Sequence, residues 1–445
     1  MSARGEFSSR LGFILAAAGS AVGLGNIWGF PTQVASNGGA AFVLVYVILA
    51  FLLAYPVLMA ELIIGRATRS NMVAALGKIS GNNIGKAAGI WGFITVSLIL
   101  SFYALVAGWM LSHLVQTITD MLGQQGWSTW LVTSSVTRDI VFSALFLCLT
   151  ALIVTGGVSK GIEKWSVRLM PALFIIIALL ILYVSTLDGA SEGWSAYLLP
   201  DFSLVMDPEL LVNAMGQAFF SMSLGVGTML VYGSYISKKE SLPTLGASVA
   251  LVDIGVAVLA GMLIIPAMYV ALHNGIEIFT GTGELIEGPN LIFAVLPSLF
   301  DSMGSVGVYV AFVFFALMLI AALTSSISML EVPVAYVVES HEIERRPAVW
   351  LLTFCVFAAS TTIALNFNQL FVLTIDLTTK YSQPLLGLVL CIYAGWVWKR
   401  NEVLKELLQG NEQAEQGLFW KIWPWYVKFV CPVVIAIMFY LKIVN

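Results

Sequence analysis

Gly19-Ser20-Ala21-Val22-Gly23-Leu24-Gly25-Asn26 interrupts the first long apolar stretch of this 445-residue chain near its middle. A second run of the same kind, Ser221-Met222-Ser223-Leu224-Gly225-Val226-Gly227-Thr228, lies at comparable depth in the sixth stretch. Glycines mixed with small hydroxyl residues make poor helix interiors, and a helix that unwinds there frees backbone N–H and C=O groups. One reading is close packing of helices through small residues. The other is a pair of helix breaks, which lipid tolerates only where they are buried or line a cavity. Two breaks in corresponding positions, five helices apart, favour the second reading and mark an inverted-repeat transporter with its site at the midplane.

Working outward, the chain is 59% hydrophobic and 10% charged, against about 25% charged residues in soluble proteins. So few charges cannot cover a water-soluble particle of this size, and the surplus apolar surface must face lipid. A bilayer core needs roughly 20 apolar residues per helix. Eleven stretches qualify, near 11–36, 40–65, 88–118, 139–155, 163–186, 210–236, 245–272, 304–339, 348–366, 370–398 and 420–443. They are continuous rather than alternating, which excludes a β-barrel. A single all-α membrane domain over 1–445 is expected. The first apolar run is too long for a cleavable signal peptide and is followed by many more. A net charge of −4 with no basic patch argues against nucleic-acid binding.

Lys and Arg set the orientation. With the N-terminus in the cytoplasm, Arg4, Arg10, Arg66, Arg69, Lys78, Lys86, Lys160, Lys164, Lys238, Lys239, Arg345, Arg346, Lys399, Arg400 and Lys405 collect on the inner side. The long loops at about 187–209 and 273–303 carry acids but no Lys or Arg, and the C-terminus falls outside.

The chemistry offered by the breaks is specific. The second half of the first helix begins with exposed N–H donors and the positive end of a helix dipole, which suit a carboxylate. Freed carbonyls suit a hard cation, and Asn26, Ser221, Thr324 and Ser325 add side-chain oxygens. Thr324 and Ser325 stand in the eighth stretch, where such hydroxyls also back-bond to their own helix. Cys148, Cys355, Cys391 and Cys431 are scattered through apolar runs, and His113, His273 and His341 form no pair or metal set. Nothing supplies the nucleophile–base or metal constellation of an enzyme, nor the continuous ring-lined pore of a channel.

At these residues the chain resembles the neurotransmitter:sodium symporter family, specifically its bacterial members with the LeuT fold. The carrying motifs are GSAVGLGNIWGFP (19–31), NGGAAF (37–42), SFYALVAGW (101–109), AFFSMSLGVG (218–227) and ALTSSIS (322–328). The resemblance implies a 5+5 inverted repeat with the first and sixth helices broken. The repeats would be about 11–186 and 210–398, with an additional helix at about 420–443. It implies a sodium-coupled symporter for a small zwitterionic amino acid, in the bacterial inner membrane, as a monomer or homodimer.

Two sodium sites are implied. The first would use Ala21, Asn26, Ser221 and Asp253, and the second Gly19, Val22, Ala321, Thr324 and Ser325. The substrate carboxylate would meet the N–H groups near Leu24 and Gly25 and the hydroxyl of Tyr103, its side chain Ile99, Phe220, Ser223, Val226 and Met329, and the substrate as a whole also Ala21, Ser221 and Ser325. Gly23 stands where monoamine carriers of the family have an aspartate, so the substrate brings its own carboxylate. Asp253 stands where animal relatives have asparagine and bind chloride, near positions matching Tyr46, Gln217 and Ser221. A resident carboxylate then implies no chloride requirement, unless Asp253 is only a buried acid held by hydroxyls. Glu61 matches a glutamate that braces the sixth-helix break.

The family's inner gate would be Arg4 with Glu339, assisted by Phe7 and Tyr235. Tyr103 and Phe220 would close over the substrate. In the outer gate the helix-1 arginine of the family is Gly29 here. Lys380, in Asp376-Leu377-Thr378-Thr379-Lys380, either moves the cation across the vestibule, where it pairs with Asp376 or attracts part of the substrate, or snorkels in solvent. Gly161 and Pro171 in the fifth helix match a spacing associated with unwinding and inward release. A sensor that binds an amino acid without transport, or a carrier of an amino-acid-like osmolyte, would share these binding residues.

Overall fold

A computed structural model describes residues 5–279, 286 and 291–444. All eleven expected stretches are helical. We number them α1 (Arg10–Ala21), α2 (Gly25–Ser36), α3 (Ala40–Thr68), α4 (Asn83–Met121), α5 (Val136–Thr155), α6 (Val158–Val184), α7 (Pro208–Ser221) and α8 (Thr228–Gly233). There follow α9 (Leu242–His273), α10 (Ser305–His341) and α11 (Arg345–Leu365). Next come α12 (successive turns Phe367–Ile375, Asp376–Ser382, Gln383–Ile392 and Tyr393–Val397), α13 (Arg400–Leu408) and α14 (Leu418–Leu441). Among the described residues, eight helices are each long and apolar enough to cross a membrane, and α1 with α2 makes a ninth.

Polar residues at the stretch boundaries start the helices. Ser9, Asn71, Asn82, Ser135 and Asp207 each cap an N-terminus by accepting backbone N–H bonds, which satisfies donors that have no intrahelical partner. Between the caps the helices are apolar on every side, as lipid requires. On α6, Leu173, Ile177, Leu180 and Val184 are buried, while Ile175, Leu179 and Leu182 on the other face are 59–66% exposed.

Both expected breaks are present. α1 ends at Ala21, Val22 and Gly23 are non-helical, and α2 leaves at 55° to α1. α7 ends at Ser221, and residues 222–227 form turns before α8 starts. Gly225 in that turn has φ +84°, and a Cβ there would lie 2.3 Å from the carbonyl oxygen of Gln383, so both backbone conformation and close approach demand glycine. Glu61 of α3 spans the break: it accepts from Gly225 N at 2.7 Å and Leu230 N at 3.1 Å. The buried carboxylate thereby replaces two bonds that the unwound helix cannot make.

α6 starts at Val158, five residues before the expected 163, in a π-helical turn over Val158–Glu163. Lys160, Glu163 and Lys164 gave this segment the composition of a polar flank, but Glu163 is 4% exposed and bonded to the N-terminal segment. The helix is wound at both Gly161 and Pro171.

Candidate substrate and ion site

The two breaks meet. Asn26, from the start of α2, donates its amide to Asp253 Oδ1 of α9 at 2.7 Å and to Ser221 Oγ of α7 at 2.9 Å. Ser221 Oγ donates to Asp253 Oδ2 at 2.8 Å and accepts from Tyr46 Oη at 3.1 Å. Asn26 Oδ1 accepts from Gly23 N at 3.2 Å. Asn26, Ser221 and Asp253 are all 0–1% exposed. The cluster brings a carboxylate, an amide oxygen and a hydroxyl to one buried point, and no cationic side chain takes part. Such hard oxygen donors are what a small cation seeks. Ala21, at the end of α1, is buried beside the break.

Gln217 does not join this cluster. Its amide donates to Gly25 O at 2.7 Å.

The second expected ion site is also gathered. Ser325 Oγ of α10 lies 3.0 Å from Ser20 O, 3.0 Å from Val22 O and 3.4 Å from Gly19 O. A hydroxyl has one proton to give, so three converging carbonyls leave lone pairs over. Thr324 Oγ1 instead bonds its own helix, to Ala321 O at 3.0 Å and Ile320 O at 3.1 Å. Ser325 therefore reaches across to the broken helix, while Thr324 bonds back to its own helix.

Beside these oxygens the Tyr103 hydroxyl is buried next to Ser325 and the backbone of Leu24. A Cβ on Gly23 would come 2.4 Å from Ser325 Oγ and 3.1 Å from the Tyr103 hydroxyl. That space is therefore open only because residue 23 is glycine.

Leu24, Tyr103 and Phe220 lie at the edge of a cavity of about 770 Å³ whose walls include Trp28, Gly29, Trp109, Phe371 and Lys380. Ile99, Val226 and Met329 are buried at 3–7% exposure. Ser223 has φ +50°, unusual for a residue with a side chain, and its hydroxyl reaches Ser20 O at 3.3 Å.

Lys380 does not bridge the cavity. It pairs with Asp376 one turn away on α12 at 2.7 Å. A Cβ on Gly29 would lie 3.5 Å from the amide oxygen of Gln217 and 3.8 Å from Leu24 O.

On the side bearing the N-terminal segment, aromatic rings pack together. Phe7 is buried against Phe13, Tyr232 and Tyr235, and its N–H bonds Tyr235 O at 3.2 Å. Glu339 accepts from Asn71 N and Nδ2 at 2.9 and 3.0 Å; its expected partner Arg4 lies outside the described residues. Sequence reading missed an ion pair: the buried Glu331 of α10 meets the partly exposed Arg345 at 2.5 Å and the Tyr235 hydroxyl at 2.7 Å. Arg345 also donates to Val154 O at 2.9 Å. A glutamate within an apolar run was the available signal, since such acids are functional by default. Arg345 had counted only toward topology.

The profile of the sodium:neurotransmitter symporter family matches residues 4–143 and 135–445. The uncharacterized sodium-dependent transporter YhdH of Bacillus subtilis is 34% identical over 98% of this chain and 96% of its own. A sodium- and chloride-dependent taurine transporter of Bos taurus is 28% identical over 76% of this chain and 61% of its own. Among solved structures, MhsT in complex with L-phenylalanine superposes with TM-score 0.85 at 37% identity, covering 99% of both chains. Paired helix breaks around a shared buried site, and this likeness along the whole length, establish that the chain belongs to the sodium:neurotransmitter symporter family, whose members are membrane transporters and not enzymes.

Proposed function

We propose that the protein is a sodium-coupled symporter that takes up a small neutral amino acid with a hydrophobic side chain by alternating access, independently of chloride. The observation that carries this reading is the buried meeting of Asn26, Ser221 and Asp253 where the two breaks face each other. A sodium ion there would be held by Ala21, Asn26, Ser221, Asp253 and the substrate carboxylate. A second ion would sit among Gly19, Val22, Ala321, Thr324 and Ser325. The carboxylate would take the N–H groups near Leu24 and Gly25 and the buried hydroxyl of Tyr103. Apolar Ile99, Phe220, Val226 and Met329 would surround the side chain.

Because Asp253 already supplies the negative charge, no chloride is required beside Tyr46, Gln217 and Ser221. Each bound ion raises the affinity for the carboxylate and the reverse, by reciprocal linkage. One charge moved through 100 mV yields about 2.3 kcal/mol. Two ions with a neutral zwitterion therefore draw roughly twice that, enough at 1.4 kcal/mol per tenfold for accumulation of about a thousandfold.

In this reading the eleven helices form a 5+5 repeat plus one. The N-terminus faces the cytoplasm of a bacterial inner membrane, and the cavity lined by Lys380 is the outer vestibule. Purified protein in liposomes, with an inward sodium gradient and labelled amino acids, taurine, GABA and betaine, tests it. Accumulation that needs sodium and is lost in Asn26→Ala supports symport and names the substrate, an osmolyte included. Sodium-stimulated binding without accumulation of any compound replaces it with an amino-acid sensor.

A further inference from the structure

A second cavity, of about 320 Å³, lies between the C-terminal end of α4, the short helix Leu291–Ser302 and the start of α10. It does not belong to the site described above. Trp109 lines the larger cavity and Phe293 lines this one, and their rings meet edge to face at 5.7 Å as part of the wall between them.

Acids face this space from two elements. Asp120 of α4 lines it, with Oδ2 accepting from Gln116 Nε2 at 2.7 Å, and Asp301 lines it from the short helix. Burial and the neighbouring Asp120 carboxylate push the Asp301 carboxyl above its ordinary value, as like charges do to each other. Among the described residues no Lys or Arg lines the cavity. Arg138, at the start of α5, is committed elsewhere, to Asp139 at 2.6 Å and to Leu131 O at 3.2 Å.

His113 adds a buried acceptor. It is 6% exposed and lines the same cavity. Its Nδ1 bonds Trp109 O at 2.8 Å. A carbonyl only accepts, so the ring proton is on Nδ1 and Nε2 is left with a free lone pair. The imidazole packs against Phe293 and Phe315, with centroids at 5.1 and 4.9 Å. Carboxylates and an imidazole nitrogen that lack donors, beside aromatic faces, suit the N–H groups and charge of an ammonium. A directly bound metal ion fits less well, because no three His, Cys, Asp or Glu side chains among the described residues are placed to share one.

We propose that this cavity binds a small organic ammonium with an apolar body, at a site separate from that of the transported substrate. Asp120 and Asp301 hold the charge, His113 Nε2 accepts an N–H, and Phe293 and Phe315 cover the body. The inference concerns binding alone and stands apart from the transport reading.

Labelled benzylammonium, bound to the purified full chain in detergent at fixed sodium, tests it. Saturable binding is expected, and benzyl alcohol, the same body without the charge, should not compete. Asp120→Asn and Asp301→Asn should each weaken the affinity about tenfold. Ala311→Phe, which fills the space from α10 without changing charge, should abolish binding. An unchanged thermal-unfolding midpoint separates these losses from misfolding, and the exposed position of Asp301 keeps that variant available if the buried ones fail to fold. Absence of saturable binding overturns the proposal, as does an affinity within about twofold of the parent in every folded variant. Loss in Asp253→Asn with Asp120→Asn and Asp301→Asn unaffected places the amine in the substrate path and also overturns it. Zinc binding that needs His113, Asp120 and Asp301, without amine binding, replaces the ammonium with a metal ion.

Discussion

Asp253 and Asp376 both sit on helices of the bundle and both are hydrogen-bonded or ion-paired, yet they are held in opposite ways. Asp253 is 0% exposed, and its carboxylate is hydrogen-bonded by the neutral side chains of Asn26 and Ser221, brought from two other helices. Asp376 is 31% exposed and meets Lys380 one turn along its own helix. One carboxylate is desolvated and lacks a countercharge from the protein; the other is half in solvent and already neutralised. Burying an unneutralised carboxylate costs several kcal/mol, so the first position makes physical sense with an external cation and the second makes sense without one. Glu331 is a third case, buried like Asp253 but paired like Asp376.

The largest effect is expected at Asp253. Asp253→Ala should reduce sodium-driven uptake in liposomes to background, and Asp253→Asn should leave a small residual rate that chloride stimulates. Residual activity in Asp253→Asn that ignores chloride would break the comparison, because the carboxylate would then not be the resident countercharge. Next comes Arg345→Ala, which strands Glu331 and should cost about 3 kcal/mol of stability. A thermal-unfolding series in detergent with sodium varied would read it, and the loss should not be recovered by added sodium. Glu61→Gln puts an NH₂ against one of the two backbone donors and should cost about 2 kcal/mol, read in the same assay. The smallest effect belongs to Lys380→Ala: an exposed pair contributes under about 1 kcal/mol, so the KM for substrate should stay within about threefold. A tenfold rise would return Lys380 to an outer gate.

Much of this was legible in the sequence because each signal was local. Glycines beside small hydroxyls marked both breaks, while Asp253 in the ion cluster and Glu61 at the second break were pointed to by the resemblance to the family. What stayed hidden depended on direction or on distant pairing. Thr324 and Ser325 are adjacent and chemically alike, yet about 100° apart around a helix, and only packing decides that Ser325 crosses to the carbonyls while Thr324 bonds back. Glu163 lies in the charged run Lys160-Gly161-Ile162-Glu163-Lys164, which reads as a solvated flank. Its partners are some 155 residues earlier in the chain. The membrane pattern itself survives because both faces of most helices are apolar, whereas the sixth and tenth stretches are divided by turns or π-helical segments that hydropathy does not resolve.

The lipid-facing stripe of α6, Ile175, Leu179 and Leu182, has a mechanical consequence. α6 is among the least enclosed of the spanning helices, with 28% of its apolar window buried. Shortening its helical length at one end changes the hydrophobic span that the surrounding lipid must match, at fractions of a kcal/mol per Å of mismatch. Turnover in short-chain and long-chain vesicles should differ even where substrate affinity does not.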